Sequence, residues 1–324
     1  MSKTKMNVKW MIFITVVLAL GIFAGFKLRS NKSDSGQAMN IPIAMSLDDG
    51  YLYPTIVAIT SIMENSPERL TYDFHVMHTP QFKQSSKDKL MSLEKRYPRC
   101  RINLIDMGNS YNNAYSKGHV TTPAYYRLSL SELLPDLDKI LWIDGDTLTF
   151  HGLDEMYNID MTGYYYKGFL DDAEDNFESV KNLGVYNDHC ICDGVMVVNL
   201  AELRKDNMVP KFKEFIAKNN DKLFQHDQTT INALCVDKIG IFPAKYGLYS
   251  CYYLEDMEYY TEKYKCSYGY TVEELEEAYK DPTILHCVVK PWRSLKVQFA
   301  NLWWRYARKT DYFKEICETY CRSL

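Results

Sequence analysis

From Ile41 to about residue 150, short apolar runs alternate with segments of helical spacing, and two acidic clusters fall where apolar runs end. These two observations predict an α/β fold: a Rossmann-like, mostly parallel sheet flanked by helices, with its ligand site beyond the carboxyl ends of the strands. The composition agrees. The chain has 324 residues, 46% apolar and 25% charged, which fits one large globular domain or two small ones and excludes disorder as the main state.

The run IPIAMSL (41–47) ends abruptly at Asp48-Asp49-Gly50 and reads as a buried strand. Pro54 opens a helix in which Ile56, Ile59 and Met63 share a face. TYDFHVMHT (71–79) alternates Tyr72, Phe74 and Val76, as a strand does. SSKDKLMSLEKRYP (85–98) is a polar helix with Leu90, Leu93 and Tyr97 on one side, and RINLIDM (101–107) is the next strand. PAYYRLSLSELLPD (123–136) reads as a helix stopped by Pro135. KILWIDGDTLTF (139–150) reads as one apolar strand broken by two aspartates. In the second half, strand GVMVVNL (194–200) and helices VPKFKEFIAKN (209–219) and DQTTINALCV (227–236) are clearest.

Before the domain, a short polar N-terminus (1–9) precedes 17 uncharged residues, Trp10–Phe26. As a helix these reach about 25 Å, the short end of a bilayer span. They predict a transmembrane anchor followed by a linker (27–40). A cleaved signal peptide is the competing reading, although its apolar core is usually shorter. Lys3, Lys5 and Lys9 before the span and Lys27, Arg29 and Lys32 after it leave the orientation open. The main folded domain is expected over 41–293 and a tail over 294–324. In SLKVQFANLWWRYARK (294–309), Leu295, Phe299, Leu302, Trp303 and Tyr306 recur at helical spacing beside Lys296, Arg305, Arg308 and Lys309. Such a helix either binds a membrane surface or packs on the domain.

Several functions are excluded. A net charge of -4 offers no global attraction to nucleic acid. The nine cysteines are scattered without a C-x-x-C pair, so neither a zinc ribbon nor a disulfide scaffold is indicated. The chain lacks a G-x-G-x-x-G fingerprint, a phosphate-binding G-x-x-x-x-G-K-[ST] loop and a G-x-S-x-G elbow.

Asp144-Gly145-Asp146 ends an apolar strand. Residues i and i+2 project to one side, and two carboxylates there suit a hard divalent cation. Asp136-Leu137-Asp138 has the same pattern but follows Pro135 in a turn, where solvated carboxylates are ordinary. Asp48-Asp49-Gly50-Tyr51 offers a carboxylate for a base or ribose and an aromatic ring to stack; equally, Asp48 is placed to cap a helix. His286 follows an apolar run and precedes Lys290-Pro291-Trp292, as a ligand beside a phosphate partner or as a core histidine. Asp227-Gln228 opens a helix, which makes Asp227 an N-cap candidate, and Asp193-Gly194 reads as a turn.

Taken in order, DDGY, Y-R-L (126–128), ILWIDGDTL, G-V-x-x-x-N-L (194–200), D-Q-x-x-x-N (227–232) and H…KPW (286–292) resemble glycosyltransferase family 8, from about Ile41 to Trp292. The resemblance implies a GT-A fold, Mn²⁺ or Mg²⁺, and a nucleotide-sugar donor, usually a UDP-hexose such as UDP-glucose or UDP-galactose. Transfer would retain the anomeric configuration, to a glycan, glycolipid or glycoprotein acceptor. It implies that Asp144, Asp146 and His286 hold the metal and that Lys290 meets the leaving phosphate. Asp48 would face the uracil and Tyr51 stack on it, with Gly50 standing where the family commonly has Asn. Arg127 would hold the donor near the ribose or sugar, and Asp193, Asp227 and Gln228 would surround the reacting face. Two further departures are Cys192-Asp193, where Asn-Ser or Asn-Ala is common, and a shortened His286–Lys290 loop without its glycine. With its anchor, the protein is expected to be single-pass, in the Golgi lumen if eukaryotic and on the cytosolic face of the inner membrane if bacterial. Two other readings compete. ILWIDGDTLT also fits a haloacid dehalogenase-type phosphatase with Asp144 as nucleophile, Asp146 as acid/base, and Asp171-Asp172 with Asp175 as a later acidic motif. The shortened loop would also suit an inactive, membrane-anchored relative.

Overall fold

The computed structural model describes residues 36–115, 121–171, 174–187, 189–250, 270–297 and 299–321. The expected span Trp10–Phe26, Asp172 and most of the tyrosine-rich stretch 249–264 lie outside these residues. Among the described residues, no helix is long and apolar enough to cross a membrane. The chain divides after Gln37, and the sheets and helices described below belong to the unit Ala38–Leu324.

The strands are β1 (Met39–Leu47), β2 (Leu70–His78), β3 (Cys100–Asp106), β4 (Lys139–Ile143), β5 (Thr147–Thr149), β6 (Tyr166–Leu170), β7 (Ile191–Asn199), β8 (Ile239–Ile241), β9 (Leu248–Tyr249) and β10 (Ile284–His286). Seven of them form one sheet in the order β3-β2-β1-β4-β7-β6-β8. β3, β2, β1 and β4 run parallel, as expected, and β8 is parallel to β6. β7 is antiparallel to both β4 and β6, so the sheet is mixed. This direction matters for the site. It brings the start of β7 to the end of β4, where Ile143 pairs with Val195 and Asp144 N–H donates to the Gly194 carbonyl at 2.8 Å.

Alternation along the strands supplies both faces of the sheet with core. Ile43, Met45, Phe74, Leu141, Ile143, Val195 and Val197 pack on one face. Ala44, Met77, Ile140, Trp142, Met196 and Val198 pack on the other, against Tyr126 and Leu128.

Two elements differ from expectation. The single strand 139–150 is two strands in two sheets. After Asp144 the chain turns at Gly145, where a Cβ would come within 2.4 Å of Thr55 Oγ1. β5 then joins a three-stranded sheet, order β5-β10-β9, in which His286 pairs with Thr147. The helix 123–136 is instead a 3-10 helix, Thr122–Ser129, and one α-turn, Leu130–Leu133. Every residue from Tyr125 to Ser131 is buried, so packing on all sides overrides the α-helix expected there.

The tail is part of the core. Its helices are Ala300–Ala307 and Phe313–Tyr320. Trp303 and Trp304 are 0% and 6% exposed, and the Trp303 ring packs on Trp292 at 5.3 Å and on Tyr320 at 6.1 Å. The aromatic stripe read as a membrane-surface face therefore faces the domain, because it covers the helix Leu52–Asn65. There Asn65 donates to Tyr306 Oη at 2.7 Å and Tyr53 Oη donates to Glu315 at 2.7 Å. Leu295, 63% exposed, precedes the helix and is not on that face. Trp303→Ala is expected to lower unfolding free energy by about 3–5 kcal/mol in a urea titration. A loss of less than about 1 kcal/mol would show that the ring is not core.

Candidate functional site

Arg127 organises the site. It lies on the 3-10 helix and is 4% exposed. Its Nε is 2.7 Å from Asp227 Oδ2 and donates to the Ala124 carbonyl at 3.0 Å. Nη1 reaches Asp193 Oδ1 at 3.1 Å and also donates to the Asp193 carbonyl. Nη2 donates to Asp144 Oδ1 at 3.3 Å. The guanidinium covers the Trp142 ring at 4.4 Å, and Trp142 Nε1 donates to the same Asp144 oxygen at 2.7 Å.

One guanidinium thus faces two buried carboxylates, Asp193 and Asp227, and the half-buried Asp144. Burial pushes Asp144 up to about 6 against the pull of Arg127, with Asp146 and Asp193 adding to the rise. Burial likewise raises Asp227 and takes Asp193 well above the carboxylate range. Asp193 and Asp227 share the guanidinium, and the Oδ2 atom of each is buried without a hydrogen-bond donor in suitable geometry.

Asp146 is compensated separately. Lys290 Nζ donates to its Oδ2, and His286 Nε2 lies 3.3 Å from its Oδ1. Burial opposes ionisation of Asp146, but Lys290 and then His286 outweigh it and hold the carboxyl well below its ordinary range. The pairing with Asp146 in turn holds His286 protonated against its burial. The loop after β10 is pinned here too, with Cys287 N–H donating to the Asp146 carbonyl at 2.8 Å.

Asp144, Asp146 and His286 each offer a ligand atom, all within 4.8 Å of one another. Asp146 Oδ1 is buried without a hydrogen-bond donor in suitable geometry. Two carboxylate oxygens and one imidazole nitrogen suit a hard to borderline divalent ion, and these residues fit one. Gly194 makes room: a Cβ there would lie 2.3 Å from His286 Cε1.

The other expected residues fall around this centre. Asp227 is not an N-cap. The helix His226–Leu234 begins one residue earlier, with His226 in the left-handed region (φ 55), and Asp227 turns to Arg127. Gln228 accepts from Asp193 N–H at 3.2 Å and donates to Asp171 at 3.2 Å. Tyr51 meets Trp292 edge-on at 6.0 Å, with Asp146 and Lys290 close enough to perturb its hydroxyl. Asp48 takes the capping role: Oδ1 accepts from Gly50 N–H at 2.9 Å and Oδ2 from Thr121 at 3.2 Å. Asp48 and Gly50 thus stand at the end of β1, next to the cluster rather than within it.

Sequence reading missed Trp142 and did not foresee the places that Cys192, Asp171 and Tyr249 take. Trp142 shares a strand face with Asp144, two residues on, and was legible in principle. Cys192 stands 3.6 Å from His286 Nδ1. Asp171 accepts from Tyr249 Oη at 2.8 Å as well as from Gln228, a link made across strands that no spacing reveals. The phosphatase reading needs Asp144 as a nucleophile, yet its Oδ1 is held by Trp142 and Arg127. Asp172 lies outside the described residues.

The glycosyl transferase family 8 profile matches residues 42–296. The chain belongs to glycosyltransferase family 8. Among its relatives is a putative glycosyltransferase of Haemophilus influenzae, 28% identical over 211 residues, 63% of this chain and 61% of that protein. Glycosyltransferase GlyF of Streptococcus pneumoniae is 22% identical over 83% of this chain and 61% of its own length. The chain thus spans about three-fifths of these relatives. The galactosyltransferase LgtC, solved with donor and acceptor sugar analogues, superposes with a TM-score of 0.70 at 19% identity, covering 84% of this chain and 96% of LgtC. The bifunctional glycosyltransferase WbbM gives 0.68 at 18% identity over 89% of this chain and 52% of its own. These solved structures establish a Rossmann-like GT-A architecture for the family 8 chain.

Arg127→Met leaves the buried Asp193 and Asp227 and the half-buried Asp144 without their cation and is expected to cost about 3–5 kcal/mol of stability at pH 7. The carboxyls protonate as pH falls, so the deficit against wild type should shrink from pH 7 to pH 5 in parallel urea titrations. A deficit that does not depend on pH would show that the guanidinium is not their counterion.

Proposed function

We propose that the chain is a retaining, metal-dependent hexosyltransferase that moves a sugar from a nucleotide donor, UDP-glucose or UDP-galactose, to a saccharide-bearing acceptor. The observation that carries this reading is the convergence of Asp144, Asp146 and His286 beside Lys290, at the strand ends of a family 8 fold. LgtC binds donor and acceptor sugar analogues, which supports a saccharide acceptor here.

In this reading Asp144, Asp146 and His286 hold Mn²⁺ or Mg²⁺. When bound, the ion neutralises the donor diphosphate and stabilises the leaving nucleotide electrostatically. Lys290 supplies a second cation for the same charge once it leaves Asp146. Tyr51, lodged against Trp292, and the Asp48-Gly50 turn receive the base and ribose. Arg127 acts on the donor sugar through Asp144, Asp193 and Asp227, which it orients. Gln228, gripped by Asp193 and Asp171, lines the reacting face. Gln228 and the Arg127-bound carboxylates are already engaged, which favours front-face departure. The leaving phosphate oxygen then takes the acceptor hydroxyl proton.

The decisive test offers the purified full chain a panel of UDP-, GDP- and ADP-sugars with Mn²⁺ and measures free nucleotide. Release from one sugar nucleotide is expected, lost on chelation and reduced at least about 100-fold in Asp144→Asn. Absence of both release and Mn²⁺-dependent UDP binding by calorimetry would overturn the reading. Lys290 competes with the ion for Asp146. Lys290→Met should therefore bind Mn²⁺ several-fold more tightly without nucleotide, yet turn over more slowly with it. Weaker binding without nucleotide would place Lys290 as a support of the site rather than a competitor.

A further inference from the structure

We propose that Cys192 is a positioning residue for His286, so that the strength of the metal site depends on a buried thiol. This rests on the metal-site reading above. β10 is only three residues long, and its backbone does little to orient the imidazole at its end. The ring is set instead by what surrounds it. Gly194 lies against Cε1, where a Cβ would intrude to 2.3 Å. Tyr249 meets the ring edge-on at 5.5 Å and 70°. Among the described residues, the polar contact to Nδ1 is Cys192 Sγ at 3.6 Å.

The placement of that sulfur is built into the sheet. Pairing of β6 with β7 passes from Gly168–Met196 directly to Phe169–Cys192, so three residues of β7, Asp193 to Val195, have no partner on β6. A bulge of this kind bends the strand and redirects its side chains. Here it turns Cys192 toward His286 and Asp193 toward Arg127 in adjacent positions. Sγ also accepts from Gly194 N–H at 3.4 Å, which fixes it on the floor of the ring cradle.

A histidine ligand needs a lone pair on the coordinating nitrogen and a hydrogen on the other, fixed by an acceptor behind it. With an ion bound, Nε2 on the Asp146 side would give its lone pair to the metal, Nδ1 would then carry the hydrogen, and Cys192 Sγ would be its acceptor. Sulfur is a weaker acceptor than a carboxylate or a carbonyl. The same position filled by a hydroxyl should therefore do the same work. A purely apolar side chain would leave the ring free to turn.

The test titrates the full chain with Mn²⁺, with and without UDP, and reads free ion by electron paramagnetic resonance. Cys192→Ala is expected to weaken Mn²⁺ binding about tenfold, and Cys192→Ser to recover most of it. Thermal melting confirms that each variant is folded, and Cys192→Val, which fills the same space, stands in if the alanine variant is not. Mn²⁺ affinity at or above that of wild type in a folded apolar variant would overturn the proposal. If the wild type and Asp144→Asn alike show no Mn²⁺ binding with UDP present, the metal-site reading itself falls, and this inference with it. Loss in Cys192→Ala together with a wild-type value in Cys192→Ser would establish the sulfur as an acceptor rather than as packing.

Discussion

The centre of this protein depends on a single buried cation. Arg127 faces Asp144 from the end of β4, Asp193 from the bulge of β7 and Asp227 from the first turn of the helix His226–Leu234. A buried carboxylate without a partner costs several kcal/mol, and three together would repel one another as well. The guanidinium lowers that cost only if all three segments arrive at once. The 3-10 helix, the central strands and the second-half helix are therefore locked to one geometry by charge as much as by apolar contact. All three carboxyls are raised by burial, which one positive charge does not offset.

Asp146 obeys the same rule with different partners. Its two cations, His286 and Lys290, come from the small sheet and the loop after it. Gly145 separates the two charge centres and lets the chain leave the main sheet between them. One strand end thus presents a carboxylate held by a permanent cation and another held by cations able to move. That division suits a site in which a divalent ion and a diphosphate must come and go while the sugar-facing carboxylates keep their places.

The C-terminal helices extend this order outward. Trp303 packs on Trp292, and Trp292 meets Tyr51. The loop that carries Lys290 is thereby braced from behind by the last described elements of the chain. Polar ties from Tyr53, Lys89 and Arg96 to Glu315 and Asp311 hold that brace to the helices Leu52–Asn65 and Gln84–Arg96. The tail is a structural part of the site's support, which explains why its aromatic stripe is so dense.

What the sequence by itself determined is local. The apolar run 41–47 and the alternation in 71–79 placed β1 and β2, and an apolar run ending in aspartates marked Asp144 and Asp146, because strand patterning and the cost of burying charge are readable residue by residue. The ordered motifs also pointed to the family. Only the tertiary structure decided the rest. The reversed direction of β7 sets Asp193 opposite Asp144, and the departure of β5 into a second sheet brings His286 to Asp146. The packing of Tyr125–Ser131 on all sides turned an expected α-helix into the 3-10 segment that delivers Arg127. It also showed that Asp227 serves the guanidinium instead of capping its helix. These outcomes rest on contacts between residues 50 to 144 positions apart, from Asp144–Gly194 to Asp146–Lys290. Spacing along the chain records no direction for such encounters, whereas burying opposite charges together leaves the fold only one way to make them.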